Sequence, residues 1–310
     1  MSIYDGKTYT VGYQGTSDIY TFANEEWAKE FQQSRTVHQM TIGSVPRDNG
    51  NFFLTPEEKD EVLKKEPKLK KFIRRVYGSK EFIRGIERYC FWLVDATPAD
   101  IKRSRILYER VGKVKEFRLA SKREATQKQA ETPHLFADIR QPKTEYLLIP
   151  RHSSGRRQYV PFGFLPPEII ATDACMTLTD ATPYHLGILS SRIHMAWMRV
   201  VCGRILSDYR YSNTIVYNNF VWPAANPYQV MKIFKAGQKI LDVREKYSGS
   251  SYAALYDELT MPKELRNAHR ENDEAVSEAY GLPADLEELA VVEHMMKLNY
   301  SLTGREYIGL

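Results

Sequence analysis

The hydrophobic pattern of this chain changes at Trp222-Pro223, and this change constrains the fold more than any other feature. After it, apolar residues recur at helical spacing between capping signals, which predicts helices over residues 228–247, 251–259, 262–281 and 283–298. Before it, short runs rich in β-branched and aromatic residues alternate with capped helical segments. The sequence therefore predicts an α+β protein, in which a mixed α/β region is followed by an all-helical one.

Helix starts are the clearest local signals before this point. Thr55-Pro56-Glu57-Glu58 combines a capping threonine, a proline at the first helical position and a glutamate that completes a capping box. We expect this helix to run toward Lys65, followed by a second helix over 68–77 and a buried strand over 88–94. Thr97-Pro98 then opens a basic helix that we expect to reach about residue 130.

The middle of the chain favours strands and turns. The pattern predicts strands over 146–150, 158–162, 171–178 and 214–217. Between the last two, Thr182-Pro183 opens a single predicted helix that Gly203 closes. Its apolar stripe consists of Leu189, Ile193, Trp197 and Val200.

Residues 1–37 carry weaker signals. A short strand is predicted over 9–13 and a short helix over 25–33. The stretch is polar and contains glycine, so we interpret it as a connection and not as part of a core.

Charge is distributed unevenly along the chain. Residues 102–128 contain ten Lys or Arg against three Asp or Glu, whereas residues 257–306 contain twelve acidic residues against five basic ones. The net charge of +5 is only mildly basic, so the distribution is more informative than the total. Either the basic segment meets a polyanion, or the two segments are solvated helical faces of opposite sign.

The cysteines and the hydropathy limit the class of protein. Cys90, Cys175 and Cys202 are too few and too widely spaced for a disulfide framework or a paired-cysteine metal site. The N-terminus has no secretory pattern, and no apolar run approaches the ~18 residues of a membrane span. We therefore expect a cytoplasmic protein that does not enter a membrane.

Five segments together resemble one family of DNA-modifying enzymes, the single-chain type IIL restriction-modification methyltransferases and their methylase-only relatives. The resemblance covers roughly residues 38–300 and is most specific between Gly187 and Pro223. The segments are GNFFLTPEE (50–58), IPRHSSGRRQYVPFGF (149–164), GILSSRIHMAWMR (187–199), SDYRYSNT (207–214) and YNNFVWP (217–223). Val221 departs from the proline that the family usually has before the Trp-Pro pair.

The resemblance implies that different parts of a longer protein carry out catalysis and DNA recognition. The N-terminal part of such enzymes transfers a methyl group from S-adenosylmethionine to N6 of adenine, and the part resembled here recognises the DNA site. By this implication residues 1–37 are a linker from the catalytic domain, 38–223 a target-recognition domain and 224–310 a C-terminal helical domain. The expected partners are double-stranded DNA and the methyltransferase domain of the same polypeptide, with no cofactor held by this chain.

The motifs needed for the chemistry are not found in this sequence. A methyltransferase acting on an exocyclic amine needs a glycine-rich turn and an Asp/Asn-Pro-Pro-aromatic loop. Asn226-Pro227-Tyr228 lacks one proline of that loop and is better explained as a helix start. His185 and His194 are nine residues apart on one predicted helix, so packing or capping is expected of them and not a metal site. We therefore expect this chain alone to perform no chemistry.

The loop 151–157 offers three arginines and two serines between two predicted strands. Arg156 and Arg157 are adjacent and should diverge, so at least one could contact phosphate; a solvated hairpin tip is the alternative. The resemblance favours DNA contact. The expected phosphate contacts are Ser153, Ser154, Arg156, Arg157 and Arg192, the last from a helix face that could instead be solvated.

Residues 206–212 would present two sets of side chains if extended, because alternate residues of a strand face opposite sides. Arginine can bind guanine bidentately, and aspartate can accept from cytosine N4. The alternative for Asp208 and Arg210 is a surface ion pair of little energetic value. One set is Leu206, Asp208, Arg210 and Ser212, and the other is Ser207, Tyr209 and Tyr211. With the resemblance, the expected base-reading residues are Arg151, Asp173, Ala174, Leu206, Asp208 and Arg210.

A second class of function stays open at this point. The chain could be a stand-alone, non-enzymatic protein, with a basic helix that binds RNA or an acidic partner as a scaffold. DNA binding that depends on sequence would separate the two hypotheses.

Overall fold

The computed structural model describes residues 39–205 and 207–303, together with three N-terminal strands. These strands are β1 (Ser2–Tyr4), β2 (Tyr9–Gly12) and β3 (Ile19–Phe22), which form an antiparallel sheet in the order β1-β2-β3. The strand expected over 9–13 corresponds to β2. The helix expected over 25–33 lies outside the described residues.

Eleven further strands form three small sheets in the described part of the chain. The central sheet has the order β10-β8-β12-β4 and is antiparallel, and a second sheet has the order β11-β6-β7-β5. The third has the order β13-β14-β9. The strands are β4 (Met40–Ile42), β5 (Phe53–Leu54), β6 (Ile73–Tyr77), β7 (Tyr89–Phe91), β8 (Tyr146–Pro150), β9 (His152–Ser153), β10 (Gly163–Leu165), β11 (Ile170–Ala171), β12 (Cys175–Thr179), β13 (Gly203–Ile205) and β14 (Asp208–Arg210).

Helices lie between these strands and make up most of the described C-terminal part, up to residue 303. Those before residue 223 are α1 (Pro56–Lys65), α2 (Ser79–Arg84), α3 (Pro98–Arg103), α4 (Arg105–Leu119), α5 (Glu124–Lys128), α6 (Pro183–Leu189) and α7 (Arg192–Val201). Those after it are α8 (Pro227–Glu245), α9 (Tyr252–Leu255), α10 (Lys263–Tyr280) and α11 (Glu288–Thr303). The predicted class, a mixed α/β region followed by helices, is confirmed.

Helix starts with complete local capping were predicted correctly. The Thr55 hydroxyl accepts from the Glu58 amide at 3.2 Å, and the Glu58 carboxylate accepts from the Thr55 amide at 2.9 Å. Asn226 and Gln229 make the same reciprocal pair at the start of α8, with both bonds at 3.0 Å. The proposed role of Asn226-Pro227 as a helix start is therefore confirmed.

Several helix predictions were wrong in extent, including the one over 251–259, of which only Tyr252–Leu255 is helical. The helix expected over 68–77 is a 3₁₀ turn, Pro67–Phe72, followed by strand β6, because β7 and β11 supply ladder partners on both sides. The basic helix is broken at Ser104, whose hydroxyl caps the Leu107 amide at 3.0 Å, and again after Leu119. The helix expected from Pro183 to Gly203 is split, because Ser191 caps a new helix, α7.

Three strand predictions were also wrong in place or type. Residues 214–217 belong to a π-helical turn, Asn213–Tyr217, held by the side-chain amide of Asn219, whose Nδ2 donates to the carbonyls of Thr214 and Ile215. The strand expected over 158–162 begins instead at Gly163. The strand expected over 171–178 is interrupted by a turn that separates β11 from β12.

One hydrophobic core joins the central sheet to the C-terminal helices. It contains Ile149 of β8, the fully buried Trp197 of α7, and Val276 of α10. The indole of Trp197 donates to the Val216 carbonyl at 2.9 Å, so its polar group is also satisfied. Because the core continues across residue 223, the domain boundary proposed there stays a prediction.

Gly237 allows the closest approach between the two regions. A Cβ at this position would lie 2.1 Å from the Pro183 carbonyl oxygen, so α8 can contact the start of α6 only if the residue is glycine. Asn272 of α10 donates to the Gly187 carbonyl at 2.8 Å beside this contact. The C-terminal helices are therefore tightly packed against α6.

A buried arginine holds together several loops around α4. Arg118 of α4 has no exposed surface, and its guanidinium donates to five backbone carbonyls. These carbonyls satisfy the donors of a cation that would otherwise be costly to bury. They belong to Pro46, Arg47, Gln129, Thr132 and Leu135.

Within the described part of the chain, no helix combines the length and the hydropathy needed to cross a membrane.

Candidate nucleic-acid interface

The sheet β13-β14-β9 brings together segments that lie far apart in the sequence. Strand β14 pairs with β9 through Tyr209↔Ser153 and Arg210↔His152, and β13 pairs on its other side. The Tyr211 amide donates to the Arg151 carbonyl at 2.7 Å and extends this pairing. We call this sheet the recognition sheet. It places the predicted loop 151–157 directly beside the predicted reading strand.

Strand β14 presents alternate side chains to solvent and to the core, as its sequence predicts. Asp208 and Arg210 are exposed, whereas Tyr209 and Tyr211 are only 4% and 1% exposed. In the described part of the chain, neither Asp208 nor Arg210 has a hydrogen-bond or ion-pair partner for its side chain. Ser207, expected on the packed side, lies in the turn before β14 and is exposed. Leu206 lies outside the described residues.

Arg151 is fixed to the turn that carries two other predicted base readers. Asp173 and Ala174 lie in the turn between β11 and β12, and not in a strand as expected. An Nη group of Arg151 donates to the Asp173 carbonyl at 2.7 Å, and its backbone amide donates to the Ala174 carbonyl at 3.1 Å. The Asp173 amide is held in turn by the Ser44 carbonyl at 3.0 Å. The three residues therefore form one rigid corner beside β14.

Electrostatic interactions show that these groups are near neighbours. Burial lowers the pKa of Arg151 and of His152, and the positive charge of Arg210 lowers both further. Burial also lowers the pKa of Arg157, while the carboxylate of Asp208 acts in the opposite direction on Arg157 and His152. The arginines, the Asp208 carboxylate and the His152 imidazole are therefore close to one another, and together they offer both hydrogen-bond donors and an acceptor.

The predicted phosphate contacts of the loop differ in accessibility. Arg156 is exposed at the tip of the turn, and its side chain has no partner in the described part of the chain. Arg157 is half-buried and donates to the Ser153 hydroxyl at 3.3 Å, so the two arginines diverge as expected. Ser153 is buried, and only Ser154 of the two serines retains partial exposure.

Gly155 holds the loop against the recognition sheet. A Cβ at this position would lie 2.4 Å from the Ser207 carbonyl oxygen. The tip of the loop therefore rests on the turn between β13 and β14, which fixes the position of Arg156 relative to Asp208.

Arg192 has partners inside the protein. Its Nη groups donate to the carbonyls of Ala284 and Leu286, the latter at 2.6 Å, and its backbone amide donates to the Asp273 carboxylate at 2.7 Å. Arg199, one heptad later, donates to Glu288 at 3.0 Å. Both arginines hold the segment that leads into α11. We therefore leave Arg192 outside the candidate interface.

Two residues of the recognition sheet were not identified from the sequence. Ile205 pairs with Asp208 and His152 pairs with Arg210, so their side chains lie on the same face as those two residues. Ile205 is 49% exposed, which is unusual for a β-branched apolar residue in a strand. The pairing register that places them there depends on contacts distant in sequence, and only the isolated apolar residue before the turn is a local signal.

The predicted basic segment 102–128 has fewer free positive charges for binding DNA than its composition suggests. Arg118 is buried, and Arg105 and Lys128 form ion pairs with Glu109 and Glu124 within their own helices. Its contribution to a DNA-binding surface stays a prediction.

The two histidines of the predicted helix have structural partners. His185 accepts from the Thr182 amide at 3.0 Å at the start of α6, and the buried His194 bonds to the Tyr211 hydroxyl at 3.0 Å. Burial lowers the pKa of His194 to about 3. In the part of the chain that the structure describes, His, Cys, Asp and Glu side chains form no group of three that could hold a metal ion.

Comparison with known proteins agrees with this architecture. The family model described as "MmeI, target recognition domain" matches residues 27–224, and "MmeI, C-terminal domain" matches residues 225–305. DNA methyltransferase A of Bacillus subtilis (strain 168) is 35% identical over 267 residues, which cover 86% of this chain and 30% of that protein.

A solved structure gives the same result at the level of the fold. The type IIL restriction-modification enzyme MmeI in complex with DNA is 40% identical to this chain and superimposes with a TM-score of 0.85. The match covers 87% of this chain and 36% of that one, so the chain spans about a third of the relatives that it matches. The resemblance inferred from sequence is confirmed, and the chain belongs to the MmeI family, of which it comprises the target recognition and C-terminal domains.

Proposed function

We propose that this chain is the sequence-specific DNA-recognition module of an adenine-N6 methyltransferase from a restriction-modification system. The observation that carries the proposal is the recognition sheet, in which the backbone of Arg151 pairs next to the strand that exposes Asp208 and Arg210, although more than fifty residues separate Arg151 from that strand in the sequence. A relative of the same fold was solved in complex with DNA, which supports the same assignment.

The exposed face of the recognition sheet has the chemistry of a base reader. Arginine binds the O6 and N7 acceptors of guanine, and a carboxylate accepts from cytosine N4. Asp208 is repelled by phosphate, so an unpaired carboxylate on a DNA-binding surface is better placed at a base edge. Ile205 adds an apolar group suited to the methyl group of thymine. In this proposal Arg151, Asp208 and Arg210 read bases, with Asp173 and Ala174 lining the corner beside them.

The loop at the end of the recognition sheet supplies the contacts to phosphate. Arg156 is free and exposed, so it can reach the DNA backbone without losing a bond inside the protein. Arg157 and Ser154 lie next to it, while the buried Ser153 supports Arg157 and does not itself reach DNA. Such contacts position the protein on DNA, and the neighbouring base contacts specify the sequence.

Methyl transfer belongs to the longer protein in this proposal. The chain spans 30% of DNA methyltransferase A, and the remainder of a comparable polypeptide would bind S-adenosylmethionine and carry the catalytic groups. This chain would contact that methyltransferase domain within the same polypeptide. An enzyme that modifies bacterial chromosomal DNA would work in the cytoplasm.

Selection from a pool of random DNA duplexes tests the proposal directly. The purified chain should enrich a single sequence motif without S-adenosylmethionine. The variant Arg210→Ala should lose preference at one position of that motif, while Lys239→Gln should enrich the original motif, because Lys239 lies on α8 and pairs with Glu271. Equal binding of all duplexes, or stronger binding of RNA than of DNA, would refute the proposal and favour a scaffold protein.

A further inference from the structure

A cleft of about 620 Å³ is lined by residues of β6, α2, β10 and the C-terminal helices, and by no residue of the recognition sheet. Strand β6 and the end of α2 form one wall, and the segment that follows α8 forms the other. The side chains that matter for its chemistry are those of Arg75, Arg84, Arg244, Tyr77, Phe164 and Tyr247.

Arg244 is a buried cation with only neutral partners. Its side chain is 5% exposed; its Nε donates to the Tyr256 hydroxyl at 2.6 Å, and one Nη donates to the Phe162 carbonyl at 2.5 Å. The guanidinium also lies over the rings of Tyr252 and Tyr256, 5.3 and 5.0 Å from their centroids. In the described part of the chain, no carboxylate pairs with it.

The second Nη group of Arg244 is buried and has no acceptor. A buried charge without a counter-ion and a donor without an acceptor are both costly, and neutral dipoles and rings offset only part of that cost. Arg244 lines the cleft, so an anion bound at this end of the cleft would lie next to its guanidinium. The geometry thus favours an anion at this end of the cleft.

The other arginines of the cleft are also incompletely paired. Arg84 is exposed, and its side chain has no partner in the described part of the chain. The Nε of Arg75 is buried without an acceptor, and its Nη lies 3.7 Å from Glu87, which is a weak ion pair. The one carboxylate that lines the cleft, Glu245, is exposed at the end of α8. Positive charge therefore exceeds negative charge in this lining.

We infer that this cleft is a phosphate-binding site that accepts a nucleotide, with the phosphate on the arginines and the base against the aromatic walls. A phosphate can accept hydrogen bonds from several guanidinium groups at once, and aromatic side chains stack on any base. The nucleotide could be free, or it could be part of DNA that continues past the recognition sheet. Arg84 lies close enough to Arg157 to affect its pKa, so the cleft and the recognition sheet are connected by positive charge.

Calorimetric titration of the chain, without DNA, tests the site. Deoxyadenosine 5′-monophosphate is the probe, and deoxyadenosine is the matched compound without phosphate. We expect one nucleotide to bind per chain, and deoxyadenosine to bind at least about tenfold more weakly, since the charged contacts go to the phosphate.

Variants locate the binding. Arg84→Gln removes an unpaired exposed cation, so it should leave thermal stability unchanged and weaken nucleotide binding about tenfold or more. Lys246→Gln is the control, because Lys246 is one residue beyond α8, outside the lining, and pairs with Glu264. Arg244→Lys retains the charge but not the geometry and should also weaken binding.

The inference is overturned if the nucleotide and the nucleoside bind equally, if neither binds, or if Arg84→Gln and Lys246→Gln have the same affinity as the unchanged chain. If the nucleotide and duplex DNA compete, the cleft binds the DNA backbone. If they bind simultaneously, the cleft binds a free nucleotide. In both cases the nucleotide binds in the cleft, as inferred. Failure here leaves the proposed DNA recognition intact, because that is tested separately by sequence selection.

Discussion

Replacing Arg156 by glutamine should weaken binding to all DNA sequences equally and reduce the dependence of affinity on salt. Arg156 is at the tip of the loop 151–157, is exposed and has no side-chain partner in the described part of the chain. The fold therefore loses no interaction when the charge is removed. The only expected consequence is the loss of one contact to phosphate.

The magnitude follows from counterion release. Each phosphate contact contributes about 0.9 to the slope of log affinity against log salt concentration. A fourfold rise in salt should therefore weaken binding by about 3.5-fold for each contact that is present. If Arg156 makes one such contact, the affinity of the unchanged chain divided by that of the variant should fall about 3.5-fold when the salt concentration rises fourfold.

Fluorescence anisotropy with a labelled duplex at four or five salt concentrations measures these slopes. Lys239→Gln removes the same charge from a position on α8 that is paired with Glu271, and its slope should match that of the unchanged chain. Arg156→Gln and Lys239→Gln with identical slopes would refute the assignment of Arg156 to phosphate. A changed sequence preference in Arg156→Gln would refute it as well, because phosphate carries no sequence information.

Three further predictions concern specificity and stability. Asp208→Asn should change or relax the preferred base at one position by about 1–3 kcal/mol, which selection from random duplexes would detect as an altered motif and not as uniformly weaker binding. Trp197→Ala should lower the free energy of unfolding by about 3–5 kcal/mol in urea titrations, since it removes a fully buried indole; a loss below 1 kcal/mol would contradict its place in the core. Burial raises the pKa of Asp273 from 3.8 to about 6, so the folded state binds a proton more tightly than the unfolded state, and this contribution to stability is lost as the pH rises from about 4 to about 6. The stability of Asp273→Asn relative to the unchanged chain should therefore increase over that range, and parallel curves in urea titrations at several pH values would contradict the prediction.

Elements whose signals are local were predictable from the sequence. The capping pairs Thr55–Glu58 and Asn226–Gln229 are complete within four residues, so both helix starts could be identified without a structure. The alternation of exposed and buried residues in β14 was predictable for the same reason, since it requires only that the segment be extended.

Elements that depend on distant partners were not predictable. Residues 73–77 have the composition of either a helix or a strand, and the pairing with β7 and β11 decides for a strand. The role of Arg192 depends on the carbonyls of Ala284 and Leu286, more than ninety residues away. The sequence shows on which side of the helix Arg192 lies. It does not show that the segment containing Ala284 and Leu286 covers that side.

The candidate interface combines both cases. The sequence, with the family resemblance, indicated the loop 151–157, the segment 206–212 and the pair Asp173 and Ala174 separately, but it placed that pair in a strand and not in the turn where it lies. Their arrangement follows from the register of β14 against β9, in which Arg210 is opposite His152. That register also places His152 on the same face, and the pairing of β14 with β13 places Ile205 there.

The alternation within β14 has a consequence for how proteins of this kind can diverge. Tyr209 and Tyr211 anchor the strand in the core, while the side chains of Asp208 and Arg210 have no hydrogen-bond or ion-pair partner among the residues that the structure describes. Substitutions at these two outward-facing positions therefore change the stability of the fold very little. Either residue can be replaced without compensating substitutions elsewhere. New target preferences can accumulate one residue at a time along a strand whose inward side chains stay the same.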